Sequence, residues 1–220
     1  LIGRFSVKPR KLKNGITLTG SVSGYYGGIV SMSPWMYEMK QDNGVYKMMG
    51  DSASGNNGYI SPRQYAGADM QIKIPNKKGF TEFRAEYIRG LQTGTAATSE
   101  TPGSYPTAGI GYSPLYVRPF DGAYFYYIQH LGSTKSLSIL KMDWYDPNRL
   151  VKGTDIKAAN GYTAADIRYN TVGIGYQRIL NAHTKMTLFY DWIMNEETSL
   201  TGFTKDVKDN IFTCRVQFRF

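Results

Sequence analysis

Hydrophobic and polar residues alternate one for one in segment after segment of this chain. At the C-terminus, Phe212, Cys214, Val216, Phe218 and Phe220 interleave with Thr213, Arg215, Gln217 and Arg219. Successive side chains of an extended strand point to opposite faces, so each set lines one face. The same split separates Ala68, Met70, Ile72 and Ile74 from Asp69, Gln71 and Lys73, and Thr81, Phe83, Ala85 and Tyr87 from Glu82, Arg84 and Glu86. It recurs for Leu140, Met142 and Trp144 against Lys141, Asp143 and Tyr145, and for Val172, Ile174 and Tyr176 against Gly173, Gly175 and Gln177. Met186, Leu188, Tyr190 and Trp192 alternate with Lys185, Thr187 and Asp191, and near the start Ile16, Leu18, Val22 and Tyr26 alternate with Thr17, Thr19, Ser21 and Ser23. The longest uncharged stretch, 14–37, carries Ser21, Gly24, Gly27, Gly28 and Pro34, too polar and too glycine-rich for a membrane helix. The pattern predicts an all-β chain.

Alternation alone suits a soluble sandwich as well as a barrel. The connections separate the two. Short turns are expected at residues 9–14, 76–79, 132–134 and 181–183, and long polar connections at 33–62, 93–119, 146–164 and 196–209. They alternate strictly, which places every short turn at one end of an antiparallel meander and every long loop at the other. Outer-membrane barrels have this arrangement. Tyr25, Tyr26, Trp144, Tyr145, Tyr190 and Trp192 lie toward the long-loop ends, and Phe80, Phe218 and Phe220 toward the short-turn ends, as expected of two aromatic girdles.

Composition narrows the function classes. The 220 residues include 26 Lys+Arg and 17 Asp+Glu, a net charge of +9, with 24 Gly, 18 Tyr and one Cys. The basic charge is dispersed, with clusters only at Lys8, Arg10, Lys11 and Lys13 and at Lys77 and Lys78, so nucleic-acid binding is not expected. A lone Cys214 excludes a disulfide framework, and two histidines with one cysteine argue against a metal site. His130 and His183 lack a Ser/Asp arrangement by position, and Gly109-Ile-Gly-Tyr112 and Gly173-Ile-Gly-Tyr176 do not continue into a nucleotide loop. No catalytic residue, cofactor or enzyme activity is expected.

Several motifs occur in order: Lys141-Met-Asp-Trp-Tyr-Asp-Pro-Asn148, Ala165-Asp-Ile-Arg-Tyr-Asn-Thr-Val-Gly-Ile-Gly-Tyr176, Leu188-Phe-Tyr-Asp-Trp192 and Lys208-Asp-Asn-Ile-Phe-Thr213, preceded by Tyr65-Ala-Gly-Ala-Asp-Met-Gln71 and Gly94-Thr-Ala-Ala-Thr98. This series resembles the C-terminal half of porins of the phosphate-selective porin O and P family, in the form found in Bacteroidetes-type bacteria. The resemblance implies a transmembrane β-barrel of roughly sixteen strands in a chain near twice this length. Residues 1–220 carry about nine of them, so they read as the C-terminal portion of one barrel domain. It also implies a bacterial outer-membrane location and passive diffusion of small hydrophilic solutes, including phosphate or other small anions. The final strand looks like the signal that hands such barrels to their assembly machinery, with Phe212, Val216, Phe218 and Phe220 as its aromatic and aliphatic positions.

Assigning the apolar sets to lipid leaves the polar sets facing a pore. Its basic candidates are Arg4, Lys73, Arg84, Lys141, Lys185, Arg215 and Arg219, together with Lys8. Its acidic candidates are Asp69, Glu82, Glu86, Asp143 and Asp191. A basic excess on a water-filled wall favours anions weakly. The expected partners are outer-membrane lipid, the assembly machinery, small anionic solutes, and a homo-oligomer or a larger envelope complex. A structural or scaffolding barrel subunit is the alternative. The aromatic and Met-rich loop 33–62 suits either a constriction or a partner surface.

Overall fold

The computed structural model describes residues 1–132 and 134–219. Ser133, within the expected 132–134 turn, and Phe220, within the expected assembly signal, lie outside the described residues. The strands are β1 (Ile2–Lys11), β2 (Thr17–Val30), β3 (Trp35–Asp42), β4 (Val45–Ser52), β5 (Ile60–Asn76), β6 (Gly79–Gly94), β7 (Thr107–Ala108), β8 (Gly111–Tyr112), β9 (Leu115–His130), β10 (Ser136–Asp146), β11 (Tyr169–Ile179), β12 (Thr184–Asn195) and β13 (Ile211–Phe218). The chain is all-β and antiparallel in its main path, as its alternation predicts. Nine long strands form one meander in the order β1-β2-β5-β6-β9-β10-β11-β12-β13. Among the described residues β1 and β13 do not pair with each other, so the sheet is open at both edges.

Short turns and long connections alternate along this meander as expected, with some boundaries moved. Pro9 and Arg10 belong to β1, and the turn falls at Lys13–Gly15. The β1–β2 ladder slips between Val7 and Arg10, and such a slip accommodates a proline that has no ladder donor. The 93–119 connection ends sooner, because β9 starts at Leu115. Loop 33–62 is mostly a hairpin, β3–β4, closed by Asn43 and Gly44 at positive φ (50° and 81°), as the primed two-residue turns require.

The two faces of the sheet are sorted by chemistry. One face is concave and encloses a trough of about 1040 Å³ lined by Glu82, Arg84, Glu86, Lys141, Asp143, Lys185, Asp191 and Arg215 among others. The opposite face exposes Phe5, Val22, Met70, Phe125, Leu140, Met142, Ile174, Phe212, Val216 and Phe218. Phe212, Val216 and Phe218 are 65%, 49% and 66% exposed, which puts three of the four expected assembly positions on this apolar face. Monomeric soluble proteins rarely leave an apolar face of this extent to water.

The small buried core is not between sheets. It lies at the long-loop end, where Met48, Val151, Ile156, Tyr162, Ile167 and Leu200 pack with Tyr37, Met39, Tyr116, Tyr169 and Phe203 around them. These residues come mainly from three of the four long connections. The fourth is tied in by Thr163, whose hydroxyl donates to the Ala96 carbonyl at 2.6 Å. The long connections therefore fold together as a cap.

Candidate functional site

The trough is built by strand parity. Ladder pairs place Asp69 opposite Glu86, Glu86 opposite Tyr124, and Tyr124 opposite Asp143, so these side chains share the concave face. The next row joins Gln71, Arg84, Tyr126, Lys141, Gly173 and Asp191. Gly173 and Gly175 leave space that the Phe189 side chain fills, since a Cβ at either position would collide with its ring. The ring in turn lies 5.7 Å from the Lys141 ammonium.

Four of the seven expected basic positions line the trough: Arg84, Lys141, Lys185 and Arg215. Arg4 and Lys73 stand on the same face farther along the sheet, on β1 and β5. Arg219 lies just past β13, where its amide donates to the His183 carbonyl.

Their electrostatic settings differ. Arg4 is 2.9 Å from Asp69, and Ser21 hydrogen-bonds both. Arg84 is 2.5 Å from Glu82, which also accepts from Gln71 at 2.7 Å. Lys141 bridges Asp143 at 3.0 Å and Asp191 at 2.9 Å. Lys73, Lys185, Arg215 and Arg219 have no carboxylate partner among the described residues, and Lys73 instead sits 3.9 Å from the Phe80 ring centroid. The basic excess expected of this face thus divides into three cations paired with carboxylates (Arg4, Arg84 and Lys141) and four that have no carboxylate partner among the described residues.

The aromatic positions divide by parity too. Tyr26, Trp144, Tyr190 and Trp192 belong to the apolar face, whereas Tyr25, Tyr145 and Phe80 share the trough face by register and so are not girdle residues. Tyr87, which sequence reading placed only in a strand, completes the outer band: its hydroxyl donates to Asp121 at 3.2 Å, and Trp144 Nε1 donates to the same carboxylate at 3.3 Å. Tyr87, Trp144 and Trp192 each stand eight residues from the short-turn ends of their strands, at Gly79, Ser136 and Thr184. Below that level the apolar sets of β5, β6, β9, β10, β12 and β13 contain no charged side chain. At ~3.3 Å per residue, eight residues of strand span about 26 Å.

The cap holds a polar cluster that sequence reading missed. Arg118 Nε donates to Asp166 Oδ1 at 2.9 Å, and both side chains are sealed from solvent. Arg118 also donates to the Thr95 carbonyl at 2.9 Å, while Asp166 accepts from Asn148 at 2.8 Å and from the Thr163 amide at 2.9 Å. Beside it Tyr162 donates to the Tyr46 carbonyl at 2.7 Å, and burial pushes its phenol pKa up, aided by nearby Asp166 and Asp155.

The histidines stay apart at the short-turn end, His130 Nδ1 against the Lys78 carbonyl and His183 Nδ1 against that of Arg219. Asp69, Asp143 and Asp191 do not gather: Lys141 separates the latter two, and Arg4 holds the first. Among the described residues no three His, Cys, Asp or Glu side chains are placed to hold a metal ion. No protein family, curated protein or solved structure matches this chain.

Proposed function

We propose that this chain is the C-terminal portion of a bacterial outer-membrane porin that passes small hydrophilic solutes by diffusion with a weak preference for anions. The observation carrying this reading is the sorting of the sheet: a charged, water-accessible trough on one face and, on the other, an apolar belt bounded by Tyr87, Trp144 and Trp192. Lipid on the belt and water in the trough would suit both faces at once. The motif resemblance to phosphate-selective porins of the O and P family supports the same assignment. The anion preference would reside in Lys73, Lys185 and Arg215, which have no salt-bridge partner among the described residues.

Closure of the barrel would then require more strands. Because seven antiparallel strands lie between the two edge strands, β1 and β13 run in the same direction. An odd number of additional strands restores antiparallel pairing at both edges and an even total, which a barrel of about sixteen satisfies. Unpaired backbone at those edges would cost several kcal/mol per group in lipid.

The folded cap favours a second reading, a structural barrel subunit of a larger envelope complex, because Asp166 and Ser99 reach Arg118 and Tyr145 over the trough face at the long-loop end. Planar-bilayer recording from the purified full-length protein separates the two. Discrete conductance steps with a reversal potential displaced toward anions support the porin. Absence of conductance, with stoichiometric partners on purification, supports the scaffold.

A further inference from the structure

The charges on the trough face are layered along the strands. Asp69, Glu86, Asp143 and Asp191 each stand seven residues from the short-turn ends of their strands, at Asn76, Gly79, Ser136 and Thr184. Only Arg4 and Lys141 contact this layer as salt-bridge partners, so its carboxylates outnumber its cations by two. Next toward the turns comes Arg84, paired with Glu82, which itself stands three residues from Gly79, opposite Lys73 in the ladder. Nearest the turns are Lys73, three residues from Asn76, Lys185, one residue from Thr184, and Arg215, three residues from Phe218. None of these three has a carboxylate within salt-bridge distance among the described residues. Negative excess therefore faces positive excess across about four to six residues of strand, roughly 13–20 Å along the strand and ~10–15 Å along a barrel axis tilted near 40° to it.

We propose that this polarised wall selects dipolar solutes, and in particular short zwitterionic peptides of about three residues, held with the carboxylate toward the short-turn mouth and the ammonium toward the acidic layer. An extended chain spans up to ~3.3–3.6 Å per residue, so a tripeptide separates its terminal charges by about 10 Å, matching the lower end of the layer spacing. A single free charge on a solute meets one favourable and one unfavourable layer, whereas a dipole of matching length meets two favourable ones. The inference rests on the porin reading and narrows its solute class.

Liposome-swelling and planar-bilayer measurements on the full-length protein test it, using trialanine, its N-acetylated anion, its C-amidated cation and the doubly capped neutral form. The expected result is fastest entry of trialanine, about twofold or more above the N-acetylated anion, with current–voltage curves that rectify in symmetric salt. The triple variant Lys73→Gln, Lys185→Gln and Arg215→Gln, at exposed sites, loses both effects, and Glu86→Gln reduces the zwitterion advantage alone. Open channels that are ohmic and admit the N-acetylated anion fastest overturn the polarised wall and leave the porin intact. A protein with no conductance overturns both.

Discussion

Arg118 of β9 and Asp166 of the β10–β11 connection form an ion pair closed to solvent, with Nε and Oδ1 2.9 Å apart. Because Asn148, the Thr163 amide and the Thr95 carbonyl satisfy the remaining groups, the pair joins three segments of the cap at one point. Removing one member strands the other charge without water. Asp166→Ala is expected to destabilise the cap by roughly 3–5 kcal/mol. Limited proteolysis would read this as new cleavage in the 147–168 connection while the strands stay protected, and unchanged cleavage would refute the joining role.

Tyr162 ties the same cap to the β3–β4 hairpin. Its folded pKa is raised, so the stabilisation is complete below the phenol's unfolded value of ~10 and disappears as pH rises through the higher folded value. Cap protection should therefore hold through neutral pH and fail only in strong alkali. Tyr162→Phe removes the hydrogen bond to Tyr46, costing about 0.5–1.5 kcal/mol, and flattens this tyrosine's share of the alkaline loss. An identical alkaline profile for the two proteins would show that the phenol contributes nothing there.

Phe189 occupies the space that Gly173 and Gly175 leave open. Gly175→Leu forces the ring aside and is expected to cost about 1–3 kcal/mol in urea unfolding. Adding Phe189→Ala should recover part of that loss. If the double variant is less stable than either single one by the full sum, the two sites do not share one volume.

On the outer face, Met142 is 59% exposed at mid-belt. If lipid covers it, Met142→Arg costs ~2–4 kcal/mol in bilayer-folded protein. Gln217→Arg, on the trough face, should stay within about 0.5 kcal/mol. Equal effects of the two would contradict the assignment of faces.

Alternation alone was enough for seven of the nine strands of the meander, all but β1 and β9, since period-two alternation specifies both the extended backbone and which side chains share a face. Parity also settled which face carries Arg4, Lys73, Arg84, Lys141, Lys185 and Arg215. The β3–β4 hairpin has its own sequence signal in Asn43-Gly44, although the aromatic and methionine content of 33–62 suits an irregular loop as well. Arg118 escaped because the 93–119 stretch read as loop, although Leu115-Tyr-Val-Arg-Pro-Phe120 already enters the strand.

What the tertiary structure decided was everything that depends on neighbours distant in the chain. Alternation places a lysine on a face, but only the ladder puts Lys141 between Asp143 and Asp191 while leaving Lys185 and Arg215 without a carboxylate partner among the described residues. The cap belongs to the same class, because its loops have no periodicity and are held by contacts such as Arg118–Asp166 and Tyr162–Tyr46. The local rule fixes direction, at one residue's range. Pairing, and with it the sign of the field along the trough, is set by register between strands, which no single segment encodes.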